Sequence, residues 1–423
     1  MLNQEFTAAR AQFEDSRDVL AGFADEFHHP VDGAGRKLIY LCGHSLGLQP
    51  KSAAGFVEQE LADWSALAVR GHHAAKRPWI GYHEHLAAPL AELIGAAPAE
   101  VVAMNSLTVN LHLMMVSFFR PSGARDCVLI EKSAFPSDRY AIASQLAFHG
   151  LDPGSRLLEI APRPGERCLR TEDLVDGISK AGPRLALVLL PGVQYQSGQA
   201  LDLDPVIAAA RKAGAAVGLD LAHAVGNTLL HLHDWGADFA VWCGYKYLNG
   251  GPGAIGGCFV HERHATDHAL PRFAGWWGHE KKTRFAMGPE FHPIAGAEGW
   301  QISNPPVLSA APLLASLEIF RRADLRRLRA KSIALTEFLH RSIEALAPGL
   351  VQILTPATAA DRGCQLSLRV PRGGRRCFER LTAAGVVGDW REPDILRLAP
   401  VPSYNSFADV FRAAQALARA AGP

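Results

Sequence analysis

Between Gly218 and Gly253 the chain reads GLDLAHAVGNTLLHLHDWGADFAVWCGYKYLNGGPG. Two short apolar runs, Ala215–Leu219 and Ala237–Cys243, stand between glycine-marked breaks and read as buried strands. The first leads into a carboxylate, Asp220, and the second into Tyr245 and Lys246. Strands this short and this continuously aliphatic belong in a mostly parallel sheet covered by helices on both faces. A lysine at the exit of such a strand is an expensive place for an ammonium group unless it has a use. Burial disfavours the charge, and the neutral amine is the form that condenses with an aldehyde. The competing reading is an ordinary ion pair between Asp220 and Lys246 at a sheet edge.

The rest of the chain narrows the choice. Its 423 residues exceed one compact core and predict an α/β protein of two parts. A large domain is expected over 45–305, with a smaller α+β domain built from 1–44 and 306–423. A net charge of +1 gives no electrostatic footprint for nucleic acid or membrane, and no apolar run is long enough to span a bilayer. The first 18 residues carry acids and no apolar core, unlike a signal peptide, so a cytoplasmic location is expected. Seven cysteines scattered singly argue against a disulfide framework. The histidine pairs His28–His29, His72–His73 and His231/His233 lack a third ligand at a closing distance, so no metal is expected.

Taken in order, Gln4–Phe27 has helical spacing, Lys37–Leu41 reads as a strand, and Ser52–Val69 as an amphipathic helix. The strand-like VVAM stops at Asn105–Ser106, where an apolar helix starts, with Ser106 expected to cap it. The backbone N–H groups of Leu107 and Thr108 then face an anion. Cys127–Glu131 is a further buried strand and delivers KSAFPSDRY, placing Phe135, Ser137 and Asp138 at its exit. FAGWWGHE (Phe273–Glu280) is unlike plain helix or strand and suits a pocket cover or subunit contact. The rigid turn WQISNPP closes the large domain. Helices follow over Val307–Arg322 and Asp324–Leu346, with RRADLRRLRAK as a solvated face. Strands at Cys364–Val370 and Ile395–Leu398 and helices at Cys377–Ala384 and Phe407–Ala420 complete the smaller domain. In sheets of this kind ligands sit beyond the carboxyl ends of the strands. The anion-binding helix, Phe135/Asp138, Asp220/His223 and Tyr245/Lys246 all fall at such exits. Their convergence favours a cofactor over an ion pair. Pyridoxal phosphate, joined to Lys246 with Asp220 on its pyridinium nitrogen, fits the set.

These residues, with LCGHSLGLQP, GHHAAKRPW, NSLTVNLH, AFPSDRYAI, DLAHAVGN, DWGADFAVWCGYKYLN, GWWGHE, ISNPP, RGCQL and LRLAPVPSYNSF, resemble the kynureninase family over nearly the whole chain. The resemblance implies a pyridoxal-phosphate enzyme of the aspartate-aminotransferase-like fold type I. It implies hydrolytic Cβ–Cγ cleavage of L-kynurenine or 3-hydroxykynurenine to an anthranilate and alanine. It assigns catalysis to Lys246, Tyr245 and Asp220. Cofactor contacts fall to Leu107, Thr108, Phe135, Ser137, Asp138, Asp220, His223, Tyr245 and Lys246. Trp276 and Asn304 would reach in from a partner subunit, which implies a homodimer. Arg397 would pair with the substrate carboxylate, while Ser45, His72, Ser303 and Asn304 would surround the aryl ketone end. The set His72, Ser303 and Asn304 leans toward the hydroxylated substrate. Two positions depart from the family: His44 stands in place of an asparagine beside Ser45, and Pro191 replaces a serine and cannot donate a hydrogen bond. The nearest alternative is another enzyme of the same fold, a cysteine desulfurase or an aminotransferase. A desulfurase needs a mobile cysteine, and Cys364 lies in a strand pattern that reads as buried.

Overall fold

The computed structural model describes residues 6–422, so the expected helical stretch from Gln4 begins just outside the described residues. Within them it forms a helix at Ala8–Ser16 and a tighter turn at Ala21–Glu26.

Seven strands build the central sheet: β1 (Val101–Ala103), β2 (Cys127–Glu131), β3 (Leu157–Ile160), β4 (Leu185–Pro191), β5 (Ala216–Asp220), β6 (Phe239–Trp242) and β7 (Gly257–Val260). Their spatial order is β1-β7-β6-β5-β4-β2-β3. β7 pairs antiparallel with both β1 and β6, and the other pairings are parallel. Successive side chains of a strand point to opposite faces. Ala240 and Trp242 of β6 therefore join one apolar cluster, with Leu129 of β2. Phe239 and Val241 join a second cluster on the other face, with Val128 and Ile130. Both faces are covered by helices, which is why these strands read as unbroken aliphatic runs rather than alternating ones.

A second, antiparallel sheet contains β8 (Gln352–Ile353), β9 (Leu366–Arg369), β10 (Asp389–Arg391) and β11 (Ile395–Leu398), in the order β10-β11-β9-β8. Helices Leu325–Leu346 and Phe407–Ala421 pack on it through Leu335, Leu339, Val410 and Leu417. The short strand Ile39–Tyr40 pairs with Val386–Val387 and ties the early chain to this region.

Helix Val307–Ala323 contributes Ala310, Leu313, Leu317 and Phe320 to the large core. Two local expectations are corrected. The arginine-rich segment is not uniformly solvated. Arg329 is buried and donates to the carbonyls of Ala359 and Arg362, and buried Lys331 lies 2.7 Å from Asp18. Charged groups tolerate burial when each finds such partners. Ser106, finally, makes no capping hydrogen bond, although its backbone is extended as a cap requires.

Candidate active site

The uncapped helix start lies where β1 ends. Asn105 adopts a left-handed conformation, φ 46°, and its amide donates to Asn110 at 3.0 Å. Asn110 in turn donates to the Met104 carbonyl at 2.9 Å. This asparagine pair locks the strand-to-helix turn, and the N–H groups at Leu107 and Thr108 stay available to an anion.

Leu107 and Thr108 line one cavity with Phe135, Ser137, Asp138, Asp220, His223, Tyr245 and Lys246. Nine residues expected to contact the cofactor are thereby brought together from four separate stretches of chain. Glu131, Pro191, Val193, Tyr195 and Ala222 complete the wall.

Asp220 is the last residue of β5, and its Oδ1 accepts from the Ala222 N–H at 2.7 Å. Asp138, in the first turn of helix Pro136–Phe148, is buried, and its Oδ1 has no hydrogen-bond partner. Burial, followed by the neighbouring Asp220 charge, holds the Asp138 carboxyl well above the usual carboxylate range. Burial also pushes Glu131, the last residue of β2, up to about 8, with Asp220 adding to the effect. Three carboxyl groups thus line one wall, two of them pushed up, the arrangement a basic ring nitrogen would complete. Glu131 was not singled out from sequence, although its signal was the one that marked Asp220: an acid closing an aliphatic strand.

Lys246 is half-buried, with its Nζ 5.9 Å from the centre of the Phe135 ring and 5.8 Å from that of Tyr245. Its backbone is held by the loop after Ile39–Tyr40. The Gly47 N–H donates to the Tyr245 carbonyl at 2.9 Å. A Cβ on Gly47 would lie 2.3 Å from the Lys246 carbonyl oxygen, so only glycine allows this approach. Burial keeps the Tyr245 phenol well above its ordinary value, so it remains a donor. His223 is buried with Nδ1 unpartnered, and burial followed by the Lys246 charge keeps its imidazole neutral. The unpaired Asp138 oxygen, the open helix start and the ring of Phe135 fit pyridoxal phosphate in charge, shape and chemistry.

The expected substrate residues are divided. Arg397, on β11, is 1% exposed; its Nη1 donates to the Tyr195 carbonyl at 2.7 Å and its Nη2 to Asp389. Ser45 is half-buried in the loop beside Lys246. Exposed His72 and Asn304 instead line a separate groove with Trp64, Trp79 and Trp277. Ser303 is exposed, and Trp276, 47% exposed, donates to the Arg284 carbonyl at 3.0 Å. Within one chain, then, Trp276, Asn304, Ser303 and His72 do not line the Lys246 cavity.

His44 does not stand at an open aryl end. It is fully buried between Asp389 and His223, 3.5 Å from the Asp389 carboxylate and 6.3 Å, centre to centre, from the His223 ring. Cys364 is 1% exposed, and burial pushes its thiol up to about 11. A mobile nucleophilic thiolate is excluded at that position. Among the described residues all seven cysteines are free, and no helix is long and apolar enough to cross a membrane.

Solved structures share the architecture. A cysteine desulfurase from Escherichia coli superposes with a TM-score of 0.76 at 17% identity, over 95% of this chain and 98% of its own. A mutant of C-DES with glycine covalently linked to its PLP cofactor superposes with a TM-score of 0.75 at 19% identity, over 91% and 96%. Fold and site together define a fold type I pyridoxal-phosphate-dependent enzyme.

Relatives in sequence fix the kind. Kynureninase from Koribacter versatilis is 55% identical over 95% of both chains, and that from Myxococcus xanthus 54% over 94% of this chain and 93% of its own. Residues 328–417 match the kynureninase C-terminal domain. The chain belongs to the kynureninase family.

Proposed function

We propose that this enzyme hydrolyses L-kynurenine and 3-hydroxy-L-kynurenine to the corresponding anthranilate and L-alanine. The observation that carries the reading is Lys246 facing Phe135 in one cavity with Asp220, Asp138 and an open helix start. The bound cofactor supplies a sink for the negative charge that develops on the substrate's α-carbon.

The chain's own groups do the rest. Leu107 and Thr108 hold the phosphate through backbone N–H groups, with Ser137 beside them. Phe135 would lie against the cofactor's ring, and Asp220, backed by Asp138, would hold the proton at its nitrogen. The Lys246 amine takes the α-proton. Water adds to the side-chain ketone, the Cβ–Cγ bond breaks, and the acyl carbon leaves as the carboxylate of anthranilate. The Cβ carbon takes up a proton from the Tyr245 phenol and becomes the methyl group of alanine. His223, neutral and buried, packs beside Lys246 without adding positive charge. Arg397 grips the substrate's α-carboxylate, because a guanidinium binds a carboxylate through two parallel N–H groups. Ser45 lies toward the ketone.

Trp276, Asn304, Ser303 and His72 act across a homodimer interface. His72 and Asn304 line an exposed tryptophan-rich groove, and Trp276 and Ser303 are themselves exposed, which supports this, since such a patch is normally covered. With no call for disulfides, the seven free cysteines suit a cytoplasmic location.

Purified protein loaded with pyridoxal phosphate should release fluorescent anthranilate from L-kynurenine and sediment as a dimer. Absence of turnover on both kynurenines would sink the assignment, and a catalytically competent monomer would sink the shared site.

A further inference from the structure

Arg397, to which the reading above assigns the substrate's carboxylate, already holds one. Asp389 on β10 lies directly opposite Arg397 on β11 in the antiparallel register, so the backbone itself pairs them. One oxygen, Asp389 Oδ2, accepts from Arg397 Nη2 and, at 3.0 Å, from Arg391 Nη2. His44 Nε2 stands 3.5 Å from the same oxygen, a loose contact rather than a formed hydrogen bond.

Donors are in surplus around that oxygen. Arg397 Nε, Arg391 Nε and the one N–H of the neutral His44 ring have no hydrogen-bond partner, and Arg397 and His44 are 1% and 0% exposed. Two guanidinium charges face one carboxylate. A buried site with unpaired donors and an excess of positive charge is short of one anion. An α-carboxylate is the anion that the proposed substrate carries.

We propose that Asp389 is an internal stand-in for the substrate's carboxylate. On binding, the substrate takes Arg397 over, and Asp389 keeps Arg391 and gains His44 as its resting partners. Asp389 is thus a positioning residue, which presents Arg397 in place and competes with substrate for it. The departure at position 44 acquires a role: the imidazole lies within reach of the displaced carboxylate without adding a charge. The inference rests on Arg397 being the carboxylate anchor.

Asp389→Asn keeps the shape and removes the competing charge. In the cofactor-loaded enzyme it should lower KM for L-kynurenine by roughly three- to tenfold, the scale of one charged hydrogen bond after screening, with kcat within about twofold. It should tighten L-alanine, followed by the cofactor's absorption, by the same factor, and leave L-alaninamide, which lacks the carboxylate, unmoved. Asp389→Glu retains the charge and should restore both values to within about twofold of the parent. Arg391→Gln, which removes the resting partner, should raise KM. An unchanged or raised KM in Asp389→Asn, or equal effects on alanine and its amide, overturns the exchange. So does an unchanged or lowered KM in Arg391→Gln, which decides the matter if Asp389→Asn does not fold. Arg397→Lys separates the two readings: if it leaves KM unchanged, Arg397 is not the anchor; if it raises KM while Asp389→Asn does nothing, only the exchange fails.

Discussion

The two ends of the active site treat buried carboxyl groups in opposite ways. At the β2 exit, Glu131 and Asp138 are pushed up, because burial removes water and the Asp220 carboxylate at the β5 exit adds to the effect. At the β10–β11 corner, burial would likewise raise Asp389, yet the contacts from His44 and Arg397 pull it well below its ordinary range. Burial is similar in kind at both ends; the neighbours decide the sign. In the proposed function one end would hold protons for a ring nitrogen and the other would present cations to an anion.

The contrast can be broken at several points. Lys246→Ala removes the amine on which both ends converge. Turnover should fall by at least about a thousandfold, the scale of a lost general base, along with the cofactor's visible absorption. Retained turnover would exclude the lysine. Asp220→Asn leaves the shape of the proton-holding end but removes its fixed charge; kcat should drop by roughly a hundredfold or more, with KM affected far less. A KM-only effect would place Asp220 at the other end. Arg397→Lys acts on the cationic end alone and should cost about 1–3 kcal/mol in substrate binding, read in KM with kcat nearly kept.

The subtlest test is one of stability. The Glu131 carboxyl is raised from 4.5 to about 8 in the folded chain, so the native state holds a proton there that the unfolded chain has released. Stability is therefore fullest below about 4.5 and declines as pH rises toward about 8. In the cofactor-free protein, Glu131→Gln should flatten that decline and melt higher than the parent at the upper end, on the order of a degree or two. Parallel melting curves would show that Glu131 titrates normally.

The proton-holding end was legible because its parts obey local rules. Asp220, Lys246 and the Leu107 helix start each follow a short apolar strand, and the carboxyl ends of such strands share one edge. Glu131 obeys the same rule and could have been found by it. The cationic end obeys none. Arg397 is marked only by the family resemblance, Asp389 by nothing in its own stretch, and His44 only as a departure without a setting. They come from β11, β10 and the loop after Ile39–Tyr40, 345 residues of chain apart between His44 and Asp389. Only the antiparallel register of β10 and β11 and the docking of that loop on the Tyr245 carbonyl bring them into one cluster. Ser106 teaches the same lesson at short range: its residue type and backbone both suit a cap, yet its side chain makes none.

By itself the sequence determined the layered α/β architecture, since a strand buried on both faces must be aliphatic throughout and a strand exit must announce itself with a polar side chain. It marked Lys246, Asp138 and Asp220 for that reason, though not Glu131. Tertiary structure alone decided which arginine meets which aspartate, which histidine is stripped of its water, and which tryptophans stay on the surface. Those outcomes depend on electrostatic and packing partners drawn from distant segments, and distance along a chain carries no record of proximity in space.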